Sequence, residues 1–232
     1  MAGPDDEYTI IPTTRIAVRD ATDGFSPKLK KLLIDDDLVR KLSFPRLHHP
    51  RMAGYSGTEY LEIAKRIGRD KIEVYETRRN PGMGGEAKYK SYGALNFFVV
   101  TPTLTDFPKD YMPTIVHEAT HAIQDKNKWR MSSLDNEVDA HFAEALYFLR
   151  SGREWELKND KVMEDFLTAA REYDRDPDYL KSLKFHKLRR DMRSAISAHY
   201  AKMAAIFGNG NFDEKELKRD FRRKNRWNGV PD

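Results

Sequence analysis

The sequence predicts an α+β protein, mostly helical, with a small β-sheet ahead of a central helix and a helical extension at the C-terminus. Three observations carry this expectation. Before residue 101, apolar and polar residues alternate in short segments, which is the period of a strand. From about residue 110 onward, apolar residues recur every three or four positions, the period of a helix packed on a core. The longest apolar run, "ALNFFVV" from Ala94 to Val100, is far short of the roughly 18 residues a membrane span needs.

Taken in order, "MAGPDDEYTI" lacks the basic-then-apolar order of a secretory signal. The expectation is a cytoplasmic protein, or one exported by a route without a classical signal peptide, and no membrane partner. "TRIAVRD" (14–20) alternates like a strand. Ser26-Pro27 opens a helix with apolar positions 29, 32, 33 and 39, and "TEYLEIAKRIG" (58–68) is a helix stopped by Gly68. "KIEVYET" (71–77), the glycine-rich "NPGMGGEAKYKSYG" and "ALNFFVV" form short strands, the last two a hairpin turning near Tyr92-Gly93. "TPTLTDFPKD" (101–110) carries two prolines and is expected as a loop. His48-His49, followed by Pro50, is expected as a surface loop.

Helices follow over 110–127, 133–151 (closed by Gly152), 160–174 and 177–207. The last has Asp176 as N-cap, Pro177 at its first position, and apolar residues at 180, 183, 188, 192, 196, 200, 203 and 207. "GNGNF" then breaks the chain before a charged helix near 212–225.

Composition narrows the chemistry. With three Trp, eleven Tyr and twelve Phe there is material for a core, so the chain is not of the disordered class. Cysteine is absent, which removes disulfides, thiolate catalysis and cysteine-ligated zinc. Any metal must be bound by His, Asp or Glu. The formal charge of +4 is uneven: residues 1–180 hold 27 basic and 31 acidic side chains, and residues 181–232 hold 14 and 6. The basic stretches "KLRRDMR" and "KRDFRRKNRW", with Phe221 and Trp227 interleaved, could meet phosphate backbones. Acidic residues mixed among them argue instead for a solvated amphipathic helix.

The segment "TIVHEATHAIQD" (114–125) holds the chemistry. Residues four apart on a helix point the same way, so His117 and His121 can share one metal ion. Glu118 stands beside that face, where it can reach a water polarised by the metal, which is why H-E-x-x-H on a helix suits hydrolysis. Ile115, Val116, Ala119, Ala122 and Ile123 supply buried faces. Catalytic zinc takes three protein ligands and leaves a position for water. The next helix offers Glu137, His141 and Glu144 at i, i+4, i+7, on one face, with Ser132 and Asp135 as its N-terminal cap. Pairing the two helices antiparallel places Glu137 and His141 on either side of the level of His121. Side-chain length favours Glu137, and Ala140 allows close approach.

"HEATHAIQD" followed by "NEVDA" resembles the gluzincin type of zincin metallopeptidases, including the thermolysin-like enzymes. The run Glu137, Ala140, Phe142, Ala143 is similar to the minimal gluzincins that cleave phage-type repressors. The resemblance covers residues 114 to 147. It implies a zincin-like metallopeptidase domain over 1–175 and a helical, basic extension over 176–232 packed on it. It also implies Zn2+ held by His117, His121 and Glu137, with Glu118 as general base and Asn136 or Asp125 orienting the histidines. His141 and Glu144 are then supporting residues or alternative ligands. An extended peptide would lie along an edge strand, either "GEAKYKSYG" or "ALNFFVV", with glycines 82, 84 and 85 allowing close approach. In two places the sequence departs from the thermolysin-like pattern. An acidic residue is expected four after the third ligand, where His141 stands. The histidine that steadies the transition state has no matching motif, although His186, His199 and Tyr200 are available.

The expected function is therefore zinc-dependent hydrolysis of a protein or peptide. In it, Glu118 takes the proton of a metal-polarised water and passes it to the leaving nitrogen. The alternative is a non-enzymatic binding module that uses the basic C-terminal helices for nucleic acid or a protein partner.

Overall fold

The computed structural model describes residues 9–11, 16–68, 71–77, 87–92, 95–106 and 108–206. Its elements are those of a mostly helical α+β protein with two small sheets. The chain divides into two compact units, one of residues 1–42 and 56–123 and the other of residues 43–55 and 124–232.

The first unit is built on a five-stranded sheet. Strands β1 (Thr9–Ile11), β2 (Ile16–Asp20), β5 (Glu73–Glu76), β6 (Ala87–Tyr92) and β7 (Leu95–Val100) lie in the order β1-β2-β5-β7-β6. β5 and β7 run parallel, Glu73 opposite Phe97 and Glu76 opposite Val100. A strand with neighbours on both sides favours apolar residues throughout, and Phe97, Phe98, Val99 and Val100 are all buried. β6 returns antiparallel to β7, with Tyr92 opposite Leu95 as the predicted hairpin requires. Of the two strands considered for a peptide-binding edge, β7 is interior and β6 is the outer one. β1 was not foreseen: three residues are too few to show a period.

Helices α1 (Thr22–Asp35), α2 (Asp37–Lys41) and α3 (Gly57–Arg66) accompany this sheet. The run expected from Ser26 to Val39 begins earlier, with Pro27 in its second turn, and breaks at Asp36. The Asp36 carboxylate accepts from Leu38 N at 2.8 Å and Val39 N at 2.9 Å, so it serves as N-cap of a new helix. α3 ends ahead of Gly68, whose φ of +143° only glycine adopts readily. Residues Pro102–Asp106, expected as loop, form a short helix, α4: proline is favoured in a first turn, where its missing N–H costs nothing.

α5 (Met112–Lys126) follows, and almost every position from Met112 to Gln124 is buried. Its last turn, from Gln124, belongs to the second unit. The helix closes with Trp129 N donating to Gln124 O and Lys128 N to Asp125 O, around Lys128 at φ +49°.

The second unit holds β3 (Ser43–Phe44), Tyr55 of β4 (Tyr55–Ser56), and α6 (Ser133–Arg150), α7 (Lys161–Arg175) and α8 (Leu183–Ile206). Ser132 and Asp135 cap α6 as expected, Ser132 Oγ accepting from Asp135 N at 3.1 Å. Gly152, at φ +70°, closes it. The core stacks Phe44 on Tyr55 at 4.5 Å between ring centres and sets both Phe44 and Tyr173 against Phe142. The single helix expected over 177–207 is two elements. Pro177–Lys181 is a 3-10 turn capped by Asp176, and α8 begins after the extended Ser182. Of the predicted stripe, Leu180, Met192 and Ile196 are buried, but Leu183 is 88% exposed and Phe185 takes its place in the core. The break shifts the helical phase, which moves Leu183 outward. α8 packs on α6 and α7, and Arg189 and Arg193 both donate to the Asp135 carboxylate. Burial works to raise Asp135, but these bonds and that from Ser132 outweigh it and hold its carboxyl down to about 2. "GNGNF", the helix near 212–225, Phe221, Trp227 and glycines 82, 84 and 85 lie outside the described residues.

His48 is not the surface residue expected: both ring nitrogens are buried, with no hydrogen-bond partner among the described residues. Burial pushes its imidazole down to about 4, Asp135 opposes this, and His49, Arg46 and Arg189 add to it. The unfolded chain therefore takes up a proton near pH 6.5 that the folded chain accepts only near pH 4. Stability present above about pH 6.5 is lost as the pH falls toward 4. Replacing His48 by Phe should flatten this loss. Urea midpoints measured at neutral and acidic pH should fall further for the wild type than for His48→Phe.

Candidate metal centre

α5 lies between two demands. A helix buried nearly all round should be apolar, yet it carries Thr120, fully buried, with Gln124 4% exposed and His117 and Glu118 each 8% exposed. Buried polar groups persist when they are hydrogen-bonded, and each of these has a specific partner. Thr120 Oγ1 donates to Val116 O at 2.8 Å and lies 2.7 Å from the Tyr60 hydroxyl. Glu118 Oε2 accepts from the backbone N–H of Tyr89 on β6 at 2.5 Å. Neighbouring amides along a strand alternate in direction, so this bond turns the Tyr89 N–H away from β7, toward the outer side of the sheet.

His117 and His121, one turn apart, meet Nε2 to Nε2 at 3.2 Å. Two nitrogens bound tetrahedrally to one zinc, at roughly 2.0–2.1 Å each, would lie about 3.3–3.4 Å apart. The helix thus already sets the imidazoles at the separation a shared ion would require.

On α6, Glu137, His141 and Glu144 form a half-exposed stripe on a helix whose other faces are largely buried, as their i, i+4, i+7 spacing predicts. His141 Nδ1 lies 3.1 Å from Glu144 Oε2, and its ring stands 5.4 Å from that of Phe166 on α7. Among the described residues, one group has the composition and spacing to hold a metal ion: His117, Glu137 and His141 each offer a ligand atom within 4.8 Å of the others. His121 is not one of the three. The compact set therefore contains His141, where the family resemblance implied His121. Nitrogen and carboxylate donors without thiolates suit zinc among several divalent metals.

Other expected site residues are placed differently. Asn136 presents its backbone carbonyl to α5, accepting from Gln124 Nε2 at 3.0 Å, while its side-chain oxygen is buried with no partner among the described residues. Asp125 is half-buried at the end of α5, where its backbone carbonyl takes part in the closing turn. His199 and Tyr200 lie near the end of α8, with ring centres 6.0 Å apart, and His186 near its start is exposed. None of the three belongs to the metal-holding group.

Sequence reasoning missed the residues that support the site. Asp139, fully buried, accepts from Leu47 N at 3.2 Å and from the Tyr55 hydroxyl at 2.8 Å. Tyr55 in turn accepts from Gln124 Nε2 at 2.9 Å. Burial pushes the Asp139 carboxyl up to about 8 despite these bonds, so it is mainly protonated at neutral pH. The one available signal was Asp139 itself, an acidic residue on the apolar side of α6. No protein-family model, curated protein or solved structure matches this chain.

Removing only the Tyr55 hydroxyl, by Tyr55→Phe, keeps the stack on Phe44 and strands one oxygen of Asp139. The expected loss is about 1–3 kcal/mol, the desolvation cost of an unpaired buried polar group. Chemical denaturation of wild type and variant measures it, and the denaturant dependence should stay unchanged.

Proposed function

We propose that this protein is a metal-dependent peptidase, with zinc as the metal, and that Glu118 is its general base. The observation that carries the reading is the pair of imidazole nitrogens of His117 and His121 at 3.2 Å, with Glu118 between them in sequence and held by the edge strand β6. His117, His121 and Glu137 would bind the ion. When bound, it supplies a Lewis acid that polarises a water and a substrate carbonyl. Glu118 abstracts the proton of that water and delivers it to the amine that leaves when the peptide bond breaks. β6 is the outer strand of its sheet, the edge along which an extended peptide would add. The Tyr89 amide meanwhile keeps the carboxylate of Glu118 at the strand edge.

Protein or peptide is the substrate class this arrangement suits. Within the described residues no helix is long and apolar enough to cross a membrane, and Arg189 and Arg193 are engaged with Asp135, which weighs against the nucleic-acid alternative for α8.

Purified protein is expected to carry close to one zinc per chain and to hydrolyse a mixed polypeptide substrate in a chelator-sensitive manner. Glu118→Gln should retain the metal and lose turnover by several powers of ten, since the base goes while the ligands stay. Glu137→Ala should weaken zinc at least tenfold in titration against a competing chelator. Elemental analysis that finds no metal after zinc add-back would refute the reading.

A further inference from the structure

Independently of the metal site, we infer that one face of α1, together with the end of α3, binds a small monocarboxylate with an apolar tail. An open cleft of about 480 Å3 lies there, wholly within the first unit. Small-molecule sites have volumes of roughly 300–1,000 Å3. Residues four apart on a helix share a side, so α1 lines the cleft with two rows. Ser26, Lys30 and Ile34 form one row, buried or half-buried, while Asp23, Lys31 and Asp35 belong to the other, which is exposed. Beyond α1 the lining is Ile67, which is buried, and Gly68.

The observation that points to a ligand is Ser26. The residue is 5% exposed, and its hydroxyl is buried with no hydrogen-bond partner among the described residues. A serine inside a helix ordinarily points to solvent or bonds the carbonyl four residues back. A hydroxyl left buried and unpaired costs stability, and one at the wall of a cleft can be satisfied by an acceptor that enters it. Lys30, one turn along the same row, brings that row's only charge, and it is positive. A carboxylate between them would accept from both, the lysine bond being the stronger because it is charge-assisted. Ile34 and Ile67 offer apolar surface to the rest of the ligand. Among the described residues no atom lies within 4 Å of where a Cβ on Gly68 would stand, so the wall is open at that point. Asp23 and Asp35 set the limit on charge: their carboxylates in the outer row repel a dianion, whereas one ammonium balances one carboxylate.

Calorimetric titration of the full chain with octanoate tests this, beside octanol, octylamine and inorganic phosphate at one ionic strength. Octanoate should bind most tightly of the four. Lys30→Ala should weaken it about tenfold, the loss of one charge-assisted bond. Ser26→Ala should weaken it severalfold while the urea midpoint of the unliganded protein stays level or rises, because an unpaired buried group has been removed. Lys28→Ala, exposed on α1 and outside the cleft, should change nothing. Octanol binding as tightly as octanoate would overturn the inference, since apolar adhesion alone would then suffice. Preference for phosphate or octylamine would also overturn it, as would equal weakening by Lys30→Ala and Lys28→Ala or no saturable octanoate binding at all. Each of these outcomes leaves the metal reading untouched, because no residue is shared between the two sites.

Discussion

The arrangement depends on one buried chain of hydrogen bonds, from Asp139 through Tyr55 to Gln124 and on to the carbonyl of Asn136. It binds the last turn of α5 to the first turn of α6, with Tyr55 as the bridge. A protonated carboxyl, a phenol and an amide satisfy one another away from water, so the link carries no net charge. Three residues before Gln124 lies His121, and directly after Asn136 lies Glu137. Trp129 closes the arrangement, edge-on to Tyr55 at 4.9 Å and with the Arg46 guanidinium 4.9 Å above its ring.

Much of this was legible in the sequence because it is written in short-range signals. Ser132 and Asp135 marked the start of α6, Gly152 its end, and the four-residue spacing of His117 and His121 their shared face. The β6 and β7 hairpin was evident from its glycine-rich entry and apolar return. What escaped was either too short to have a period, as with β1 and α4, or interrupted by a cap, as at Asp36 and Ser182. The supporting network was invisible for a different reason. Tyr55 and Asp139 are 84 positions apart, and nothing local distinguishes a tyrosine that will bridge two helices from one that merely fills space. The partner of Glu118 is a backbone amide, which no side-chain pattern can announce.

The C-terminal charge also reads differently in three dimensions. A basic stretch looks like a surface for phosphate when its residues are counted, yet Arg189 and Arg193 converge on a single acidic residue in the first turn of α6. The helix dipole already favours a carboxylate at that position, so Asp135 serves both its own helix and α8. Part of the positive charge therefore works as structural cement for the unit that carries Glu137 and His141.

The bond between Tyr89 and Glu118 bears on solubility as well. An outer strand with unclaimed amides is a template on which a second chain can extend a sheet, and proteins guard such edges with charge. Here the guard is a carboxylate supplied by a neighbouring helix. An intruding strand would have to take the Tyr89 N–H from an anion and leave that anion poorly solvated. Residue 118 thus covers part of this outer edge with its side chain, whatever else it does.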